Sequence, residues 1–480
     1  MGKEVYTSNA QLGGVRIMHL NGISHLVCDN DLEGADRILE WLSFVPLRRG
    51  GPLPVLRNAL DRVERKVEFE PTKEPYDPRF LLGGQPQKHQ KFLSGFFDRN
   101  SVVETLAGWA KTVVCARARL GGIPMGAIVS ECRTVQTTHP ADPAAPETGE
   151  TVITQPGQVW FPDSAYKTAQ AIQDFNREGL PLIIFANWRG FSGGQRDMFD
   201  EVLKYGAFIV DALVDYRQPV FVYIPPCAEL RGGSWVVVDP TINSDMMEMY
   251  AAPTARGGIL EPSGAVSIKF KDKELRKMAL RLDVKSIALS KKLESLQDDD
   301  DKKRKSLEKE LEARVKSLLP VYRQIAEHFA DLHDKPERME AKGVIRSVVD
   351  WNTSRSFFYW RLRRRLAELD VVSRLREADS SLSISDASDI LRKSFDEDKE
   401  SKEDWDRDNR RVLTWLTEQR ASIQRKCREL RKQSFVRSIR DMGQKDSGAV
   451  VSGVLSLLRE LPQAQRAQAL SQLRRGVIFS

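Results

Sequence analysis

An apolar run that ends in a glycine-rich turn constrains most strongly what this chain can fold into. Segment 181–199 reads PLIIFANWRGFSGGQRDMF, where a run of strand length is followed by three glycines and one arginine within seven residues. The next segment, 195–216, carries apolar residues at helical spacing, which are Met198, Val202, Leu203, Phe208 and Ile209. A strand, a glycine turn and a helix can direct backbone N–H groups into a cleft. The pattern therefore predicts a phosphate site, an oxyanion site or a plain connecting turn.

The flanking segments indicate an α/β domain with a partly parallel sheet. A helix is predicted from Ser164, because it has a polar start and a glycine stop, and a strand is predicted over PVFVYIPP at 219–226. Upstream, 112–120 and 125–135 predict two strands of a hairpin joined by GGIP. A further helix is predicted over 101–111. This alternation of helices and strands is typical of α/β architecture.

The N-terminal part is predicted to hold fewer regular elements. An extended segment is predicted over 15–27, and a helix over 31–45. The apolar face of that helix would consist of Leu32, Ala35, Ile38, Leu39 and Leu42. Residues 48–86 are rich in proline, glycine and charge, so they predict a linker or a surface excursion.

Charged helices are predicted for the C-terminal part. Residues 271–318 have helical spacing, and the run DDDDKKRK at 298–305 indicates a solvated hairpin tip. The segment RSFFYWRLRRRL at 355–366 could bind RNA or an anion through its arginines. Because those arginines alternate with aromatic residues, an amphipathic packed helix is favoured. The tail from about Ser383 is again predicted to be charged helix.

Composition bounds the class of protein. At 480 residues the chain is expected to form more than one unit, and a net charge of +7 from 74 basic and 67 acidic residues does not indicate a nucleic-acid partner. Five scattered cysteines without a CxxC pair suggest free thiols in a reducing compartment. No apolar run of membrane-spanning length and no signal peptide are found, so a soluble, cytoplasmic protein without a membrane partner is expected.

Glycine and arginine are the residues left to carry chemistry. The sequence contains no GxxxxGK phosphate loop, no GxSxG nucleophile elbow and no HExxH metal motif. Three turns at 188–194, 230–235 and 255–262 each combine glycines with an arginine. Backbone N–H groups can stabilise an oxyanion, and a guanidinium can bind a carboxylate through two hydrogen bonds. The inventory predicts acyl or carboxyl chemistry without a side-chain nucleophile and without a metal.

These turns and their surroundings resemble the carboxyltransferase component of eukaryotic multidomain acetyl-CoA carboxylase. The blocks that carry the resemblance include WRGFSGGQRDMFDEVLKYGAFIVDALVDY, PPCAELRGGSWVVVDPTIN and GGILEPSGAVSIKF, and the resemblance spans residues 4–370. It implies an α/β crotonase-like fold, a ββα superhelix with a long helical insertion and a helical C-terminal tail. The implied regions are a remnant of the N-terminal subdomain at 1–50, a linker at 51–97, a C-terminal subdomain at 98–376 with its insertion at about 271–330, and a charged helical tail at 377–480.

The resemblance also implies an activity and residues for it. A carboxyl group would pass from carboxybiotin to acetyl-CoA, giving malonyl-CoA for fatty-acid biosynthesis, at a site shared between protomers of a dimer. The expected catalytic residues are Arg189, Gly233 and Gly232. Arg189 is expected to recognise the transferred carboxylate, and the N–H of Gly233 to face the ureido oxygen of biotin. The residues expected to line the substrate cavity are Gly190, Phe191, Gly193, Gly194, Arg231 and Glu261.

Part of the family pattern is missing from this sequence. It has no RTVGIGAYL-type segment with the second family arginine, no biotin carboxylase domain and no Met-Lys-Met biotinylation site. The expected partners are therefore a dimer partner or a complementary N-terminal subdomain, a biotinylated carrier domain and coenzyme A esters. The isolated chain is expected to be inactive or weakly active, in the cytoplasm or a plastid.

Two alternatives stay open. The chain could be a non-catalytic fragment that dimerises or acts as a scaffold, or a crotonase-type hydratase or isomerase that uses Glu229 and Glu261. One local conflict is also open. SWVVVD at 234–239 has the composition of a strand, whereas the resemblance implies a helix after the glycine pair.

Overall fold

A seven-stranded sheet forms the centre of the first of two structural units, and its connections carry the three glycine turns. The computed structural model of the chain describes residues 5–57, 61–87, 92–145, 147–296, 300–398 and 404–478. The two units are Met1–Tyr359 and Trp360–Ser480.

The N-terminal part of the first unit consists mainly of short helices and turns. Its elements are α1 (Ala10–Gly13), α2 (Val15–Met18), α3 (Asp31–Phe44), α4 (Pro78–Gly83), β1 (Gly84–Gln85) and β2 (Leu93–Ser94). The helix predicted over 31–45 is confirmed as α3, and its apolar side chains Leu32, Ile38, Leu39 and Leu42 are exposed. The extended segment predicted over 15–27 is wrong. Val15–Met18 is helical, and Gly22, with a φ of 81°, then turns the chain.

Residues 48–86 contain little regular structure, but several of their side chains are buried. Val67, Phe69 and Leu81 lie in the core, and the Trp351 indole N–H donates to the Phe69 carbonyl at 2.7 Å. This segment is therefore packed within the first unit. The domain boundaries predicted after residues 50, 97 and 376 stay predictions.

The first strands of the sheet follow. The elements are β3 (Val103–Thr105), β4 (Val113–Leu120), β5 (Ile123–Ser130), β6 (Val135–His139), β7 (Thr151–Gln155) and β8 (Val159–Trp160). The predicted hairpin is confirmed, because β4 and β5 pair antiparallel and all their residues are buried. The helix predicted over 101–111 is wrong. Leu106 and Ala110 have positive φ angles, of 59° and 47°, which no α-helix accommodates.

The segment that holds the first glycine turn has the predicted order of elements. They are α5 (Pro162–Arg177), β9 (Leu182–Phe185), β10 (Gly190–Phe191), α6 (Gln195–Phe199), α7 (Val202–Val214) and β11 (Val220–Ile224). Strands β5, β9 and β11 are parallel neighbours, so the partly parallel sheet is confirmed. The single helix predicted over 195–216 is interrupted, because Glu201 has a φ of 66°.

The other two glycine turns follow β11. The elements are β12 (Glu229–Arg231), α8 (Gly232–Val236), a 3₁₀ turn (Pro240–Asn243), β13 (Met247–Ala251), β14 (Arg256–Gly258) and α9 (Pro262–Lys269). The strand-like composition of 234–239 does not produce a strand, because Gly232 begins a short helix there. The helix implied by the resemblance is therefore confirmed.

A helical insertion leads to the last strand of the sheet. The elements are α10 (Asp272–Leu282), α11 (Val284–Glu294), α12 (Asp301–Asp331), α13 (Pro336–Ala341) and β15 (Ser347–Val348). The central sheet has the order β15-β13-β11-β9-β5-β4-β3. The predicted helices over 271–318 are confirmed. Residues 298 and 299 of the predicted hairpin tip lie outside the described residues, and 301–305 of it form the start of α12.

The tail is helical, as predicted. Helix α14 (Trp351–Ala378) precedes it, and its own helices are α15 (Ile384–Asp398), α16 (Asp404–Arg407), α17 (Asn409–Glu418), α18 (Arg420–Lys445), α19 (Ser447–Glu460) and α20 (Gln463–Ile478). In α14 the side chains of Arg355, Arg361 and Arg364 are buried. Their burial confirms the packed helix that was favoured for 355–366. No helix in the described ranges is long and apolar enough to cross a membrane.

Candidate functional site

The structure brings the three glycine turns together at one edge of the central sheet. Strands β12 and β14 pair in parallel, and Trp188 forms a parallel bridge with Leu230. The Arg231 N–H donates to the Trp188 carbonyl at 2.9 Å, and the Gly232 N–H donates to the Ile259 carbonyl at 3.0 Å. Because β9 and β11 are parallel, the turns that follow their carboxyl ends meet at the same edge. The grouping predicted from the sequence is therefore present.

Stacked aromatic rings support the first turn. The ring centroids of Trp188 and Trp160 are 4.1 Å apart, and those of Trp160 and Phe191 are 5.2 Å apart. The Phe191 ring also lies against Gly206 of α7, where an added Cβ would come within 2.8 Å of it, and near Gly233, at 3.3 Å. Phe191 thus packs between α7 and α8 and positions the first turn relative to these two helices.

The glycines of the first turn face open space. A Cβ added to Gly190 or Gly193 would meet no heavy atom within 4 Å, and one on Gly194 would meet its first neighbour at 3.6 Å. At the same turn the Ser192 hydroxyl donates to the Asp197 carboxylate, which fixes the loop. The open side of these glycines leaves room for a ligand directly against the backbone.

Arg189 presents an available guanidinium beside this space. Its side chain is 55% exposed, and its Nε lies 3.9 Å from the Glu261 carboxylate, which is longer than a hydrogen bond. Within the described part of the chain its side chain makes no hydrogen bond, whereas its backbone N–H donates to the Gln158 carbonyl at 2.8 Å. A guanidinium with free donors on an anchored backbone can bind a carboxylate through two hydrogen bonds.

Arg231 has opposite surroundings. Its side chain is 3% exposed, its Nε lies 3.2 Å from the Glu229 carboxylate, and its Nη1 contacts the carboxylate of Asp334 and the Leu260 carbonyl. These contacts engage the Nε and Nη1 donors of Arg231 within the protein. The substrate-binding role expected for Arg231 stays a prediction.

The profile of the carboxyl transferase domain family matches residues 1–366. The chain belongs to this family. Three similar curated relatives are the acetyl-CoA carboxylases of Schizosaccharomyces pombe and Saccharomyces cerevisiae, each 48% identical over 476 residues, and acetyl-CoA carboxylase 1 of Arabidopsis thaliana, 48% identical over 481 residues. The matches cover 98%, 99% and 99% of this chain. They span only 21% of the length of each relative.

A solved structure supports the fold expected for a carboxyl transferase domain. Transcarboxylase 12S, crystallised with methylmalonyl-coenzyme A and methylmalonic acid, matches with a TM-score of 0.52 at 17% sequence identity. The match covers 73% of this chain and 55% of the other. The crotonase-like α/β fold implied by the sequence is therefore confirmed.

The two glycines of the second turn use their N–H groups differently: one is hydrogen-bonded within the protein, and the other is available to a ligand. Gly232 has a φ of 53°, which favours glycine, and its N–H is already bonded to the Ile259 carbonyl. The Gly233 N–H lies in the first turn of α8, where backbone N–H groups have no acceptor within the helix. Gly233 is therefore the better candidate donor to a ligand, and the catalytic role expected for Gly232 stays a prediction.

Several residues that support the glycine turns were missed in the sequence. Trp160 and Gly206 pack against Phe191 of the first turn, and Asp334 pairs with Arg231 of the second, but each lies outside the turn that it contacts. Burial raises the pKa of the Asp334 carboxyl, and the Arg231 guanidinium opposes that rise. From the local sequence, only the aromatic residues within a turn, such as Trp188 and Phe191, could have been suspected of supporting it.

Cys132 lies close to the first turn, since the Asn187 amide N–H, one residue before the turn, donates to its Sγ at 3.4 Å. Burial raises the pKa of the Cys132 thiol to about 11, so it is protonated at neutral pH and is a poor nucleophile. Among the described residues no group of three or more His, Cys, Asp or Glu side chains could hold a metal ion.

Proposed function

We propose that the chain is the carboxyltransferase portion of an acetyl-CoA carboxylase. It would transfer a carboxyl group from carboxybiotin to acetyl-CoA and so give malonyl-CoA for fatty-acid biosynthesis. The single observation that carries this proposal is Arg189. Its guanidinium is exposed, makes no hydrogen bond within the described residues and lies beside glycines that leave open space. Membership of the carboxyl transferase domain family supports the reaction type.

Each residue of the site has a proposed role. Arg189 binds the carboxylate that is being transferred, because two parallel N–H donors match two carboxylate oxygens. The Gly233 N–H donates to the ureido oxygen of biotin, on which negative charge develops when the carboxyl group leaves. Gly190, Gly193 and Gly194 allow the substrate to approach the backbone, and Phe191 and the backbone of Glu261 line the cavity.

The proposed partners supply what these residues do not. A biotinylated carrier domain brings carboxybiotin, and an N-terminal carboxyltransferase subdomain, from a dimer partner or a separate chain, binds most of the coenzyme A ester. We propose that the chain without such a subdomain is inactive or weakly active. We propose the cytoplasm as the compartment, with a plastid as the alternative. The five cysteines are all free thiols, which supports a reducing compartment.

The test combines this chain with the subdomain that it is proposed to need. The segment that precedes the aligned region in the Schizosaccharomyces pombe relative is co-expressed with it, and biotin-dependent decarboxylation of malonyl-CoA is measured. We expect activity from the pair and loss of at least 100-fold in Arg189→Met, since transition-state charge contacts contribute on the order of 10²–10³ in rate.

Arg177→Met is the matched control. Arg177 is also an exposed arginine of the first unit with only a distant carboxylate, at 3.7 Å in Asp174, and it lies on α5. This variant is expected to keep full activity. An inactive pair, or an Arg189→Met variant as active as the Arg177→Met control, contradicts the proposed function.

A further inference from the structure

The end of the helical insertion is joined to the second and third glycine turns by buried polar contacts. Asp334 follows α12, and its carboxylate pairs with the Arg231 guanidinium, where the two side chains are 13% and 3% exposed. The Asp334 carbonyl also accepts from the Gly257 N–H at 3.1 Å. One residue of the insertion therefore contacts both strands of the β12–β14 pair.

Arg231 connects Asp334 to the second and third glycine turns. Its backbone leads directly into Gly232 and Gly233 at the start of α8. Its Nη1 donates to the Leu260 carbonyl at 3.2 Å, one residue before Glu261. The Gly233 amide and the Glu261 backbone, both proposed to face the substrate, are thus connected through the same residue, the first along the backbone and the second through the Arg231 side chain.

The ion pair has no room to shift. A Cβ added to Gly258 would lie 2.9 Å from Asp334 Oδ1 and 3.3 Å from Arg231 Nη1, so the strand packs closely over the pair. Without the Asp334 carboxylate, Arg231 would keep the Leu260 carbonyl and one carboxylate, that of Glu229, whose side chain is 30% exposed. Removal of one partner leaves a buried charge incompletely compensated, so we expect the Arg231 guanidinium and the Leu260 carbonyl bonded to it to shift.

We propose that Asp334 is a positioning residue for the carboxyl-transfer site. It acts through Arg231 to set the positions of the Gly233 amide and of the Glu261 turn beside Arg189. This inference rests on the proposed function. The segment that follows α12 would then support a site whose other residues come from the turns at 188–194, 230–235 and 255–262.

Asp331 provides a matched control on the same segment. It lies three residues before Asp334 and pairs with Arg256 of the same strand β14, with Nε–Oδ1 at 2.8 Å. That pair is more exposed, at 27% and 35%, and Arg256 donates to its own neighbouring carbonyl of Ala255 rather than to the Leu260–Glu261 turn. Asp331→Asn removes the same formal charge but leaves the hydrogen bonds of Arg231 to Asp334 and Leu260 in place.

The kinetic test compares Asp334→Asn, Asp334→Glu and Asp331→Asn in the chain co-expressed with the N-terminal subdomain. We expect Asp334→Asn to lower kcat for biotin-dependent malonyl-CoA decarboxylation by about 100-fold, as misplacement of a reacting group by about 1 Å does. The KM for malonyl-CoA should change little, because the coenzyme A body is bound elsewhere. Asp334→Glu should recover part of kcat, and Asp331→Asn should stay close to the unsubstituted protein.

A second measurement uses the 480-residue chain alone. Hydrogen exchange of the backbone amides at 230–234 and 258–261 should become faster in Asp334→Asn at both segments and stay unchanged there in Asp331→Asn. Equal kcat in Asp334→Asn and Asp331→Asn, or exchange at these segments that Asp334→Asn does not change, overturns the inference. An inactive unsubstituted pair contradicts the proposed function instead, and the exchange data then decide whether Asp334 orders both turns.

Discussion

The first and third glycine turns contain the same residue types in opposite surroundings. In the first turn, Arg189 is exposed with free donors, and Gly193 faces open space. In the third turn, Arg256 is bonded to Asp331 through two nitrogens, at 2.8 and 3.2 Å. A Cβ on Gly257 would lie 2.6 Å from the Trp235 ring and 2.7 Å from a methionine sulfur.

This difference separates two uses of glycine beside arginine. In the first turn the glycines, which have no side chain, leave space next to the backbone, and the donors of the arginine are available to a ligand. In the third turn they allow the backbone to pack against neighbouring side chains, and the arginine binds the protein itself. The sequence motif is therefore the same for a binding surface and for its framework, and only the surroundings distinguish them.

The largest expected effect is on activity, at the first turn. Arg189→Lys keeps the positive charge but removes the planar pair of donors, so one charge-assisted hydrogen bond is lost. We expect kcat/KM for biotin-dependent malonyl-CoA decarboxylation by the co-expressed pair to fall roughly 30- to 150-fold, which corresponds to a loss of about 2–3 kcal/mol of transition-state stabilisation. The urea midpoint of the chain should not change. A lysine variant with normal kcat/KM would show that the two donors of Arg189 are not used.

The next effect is on stability, at the third turn. Gly257→Ala places a methyl group against Trp235 and Met339, so one of these side chains must move. Overpacking of this kind is expected to lower the free energy of unfolding by about 1–3 kcal/mol. Urea unfolding of the chain measures it, with Gly149→Ala, at a loop glycine with no heavy atom within 4 Å of an added Cβ, as control. If Gly257→Ala is as stable as this control, the glycine of the third turn is not needed for close packing, and the proposed difference from the first turn is contradicted.

Much of the sheet was predictable because its strands are short, continuous apolar runs. Leu182–Phe185 and Val220–Ile224 are buried at every position, as strands covered on both faces are, and their sequences show no polar alternation. The helix Pro162–Arg177 was predictable from its end signals. The glycine turns were predictable as a group because they follow parallel strands.

The errors come from contacts between residues that are distant in sequence. The segment 101–111 has helical spacing, yet Val103–Thr105 pairs with β4 as strand β3, and the buried Lys167 ammonium donates to the carbonyls of Leu106 and Trp109, at 3.0 and 2.9 Å. Arg231 and Asp334 are 103 residues apart, so no local pattern joins them. The motif indicated that arginines matter at the turns, but it could not tell which one is free.

A smaller effect, on activity alone, is expected at Gly193. Its added Cβ meets no protein atom, so Gly193→Ala should change the free energy of unfolding by less than about 0.5 kcal/mol. The methyl group would occupy volume proposed for the substrate. We expect kcat/KM to fall by about 1–2 kcal/mol, roughly 5- to 30-fold, in the same decarboxylation assay. If both activity and stability are unchanged, the open space at the first turn is not part of the substrate cavity.

The smallest expected effect tests whether Arg256 is only framework. Its pair with Asp331 is partly exposed, and the hydrogen bond from Arg256 lowers the pKa of the Asp331 carboxyl. A double-mutant cycle of Arg256→Met and Asp331→Asn, measured by urea unfolding, should give a coupling of about 0.2–1 kcal/mol, as for exposed ion pairs. The coupling should weaken in about 1 M salt, where charges are screened within about 3 Å. Because neither residue faces the open space of the first turn, both single variants should keep the kcat/KM of the unsubstituted pair. A loss of activity comparable with that of Arg189→Lys would place Arg256 in the binding surface and would end the distinction between the two turns.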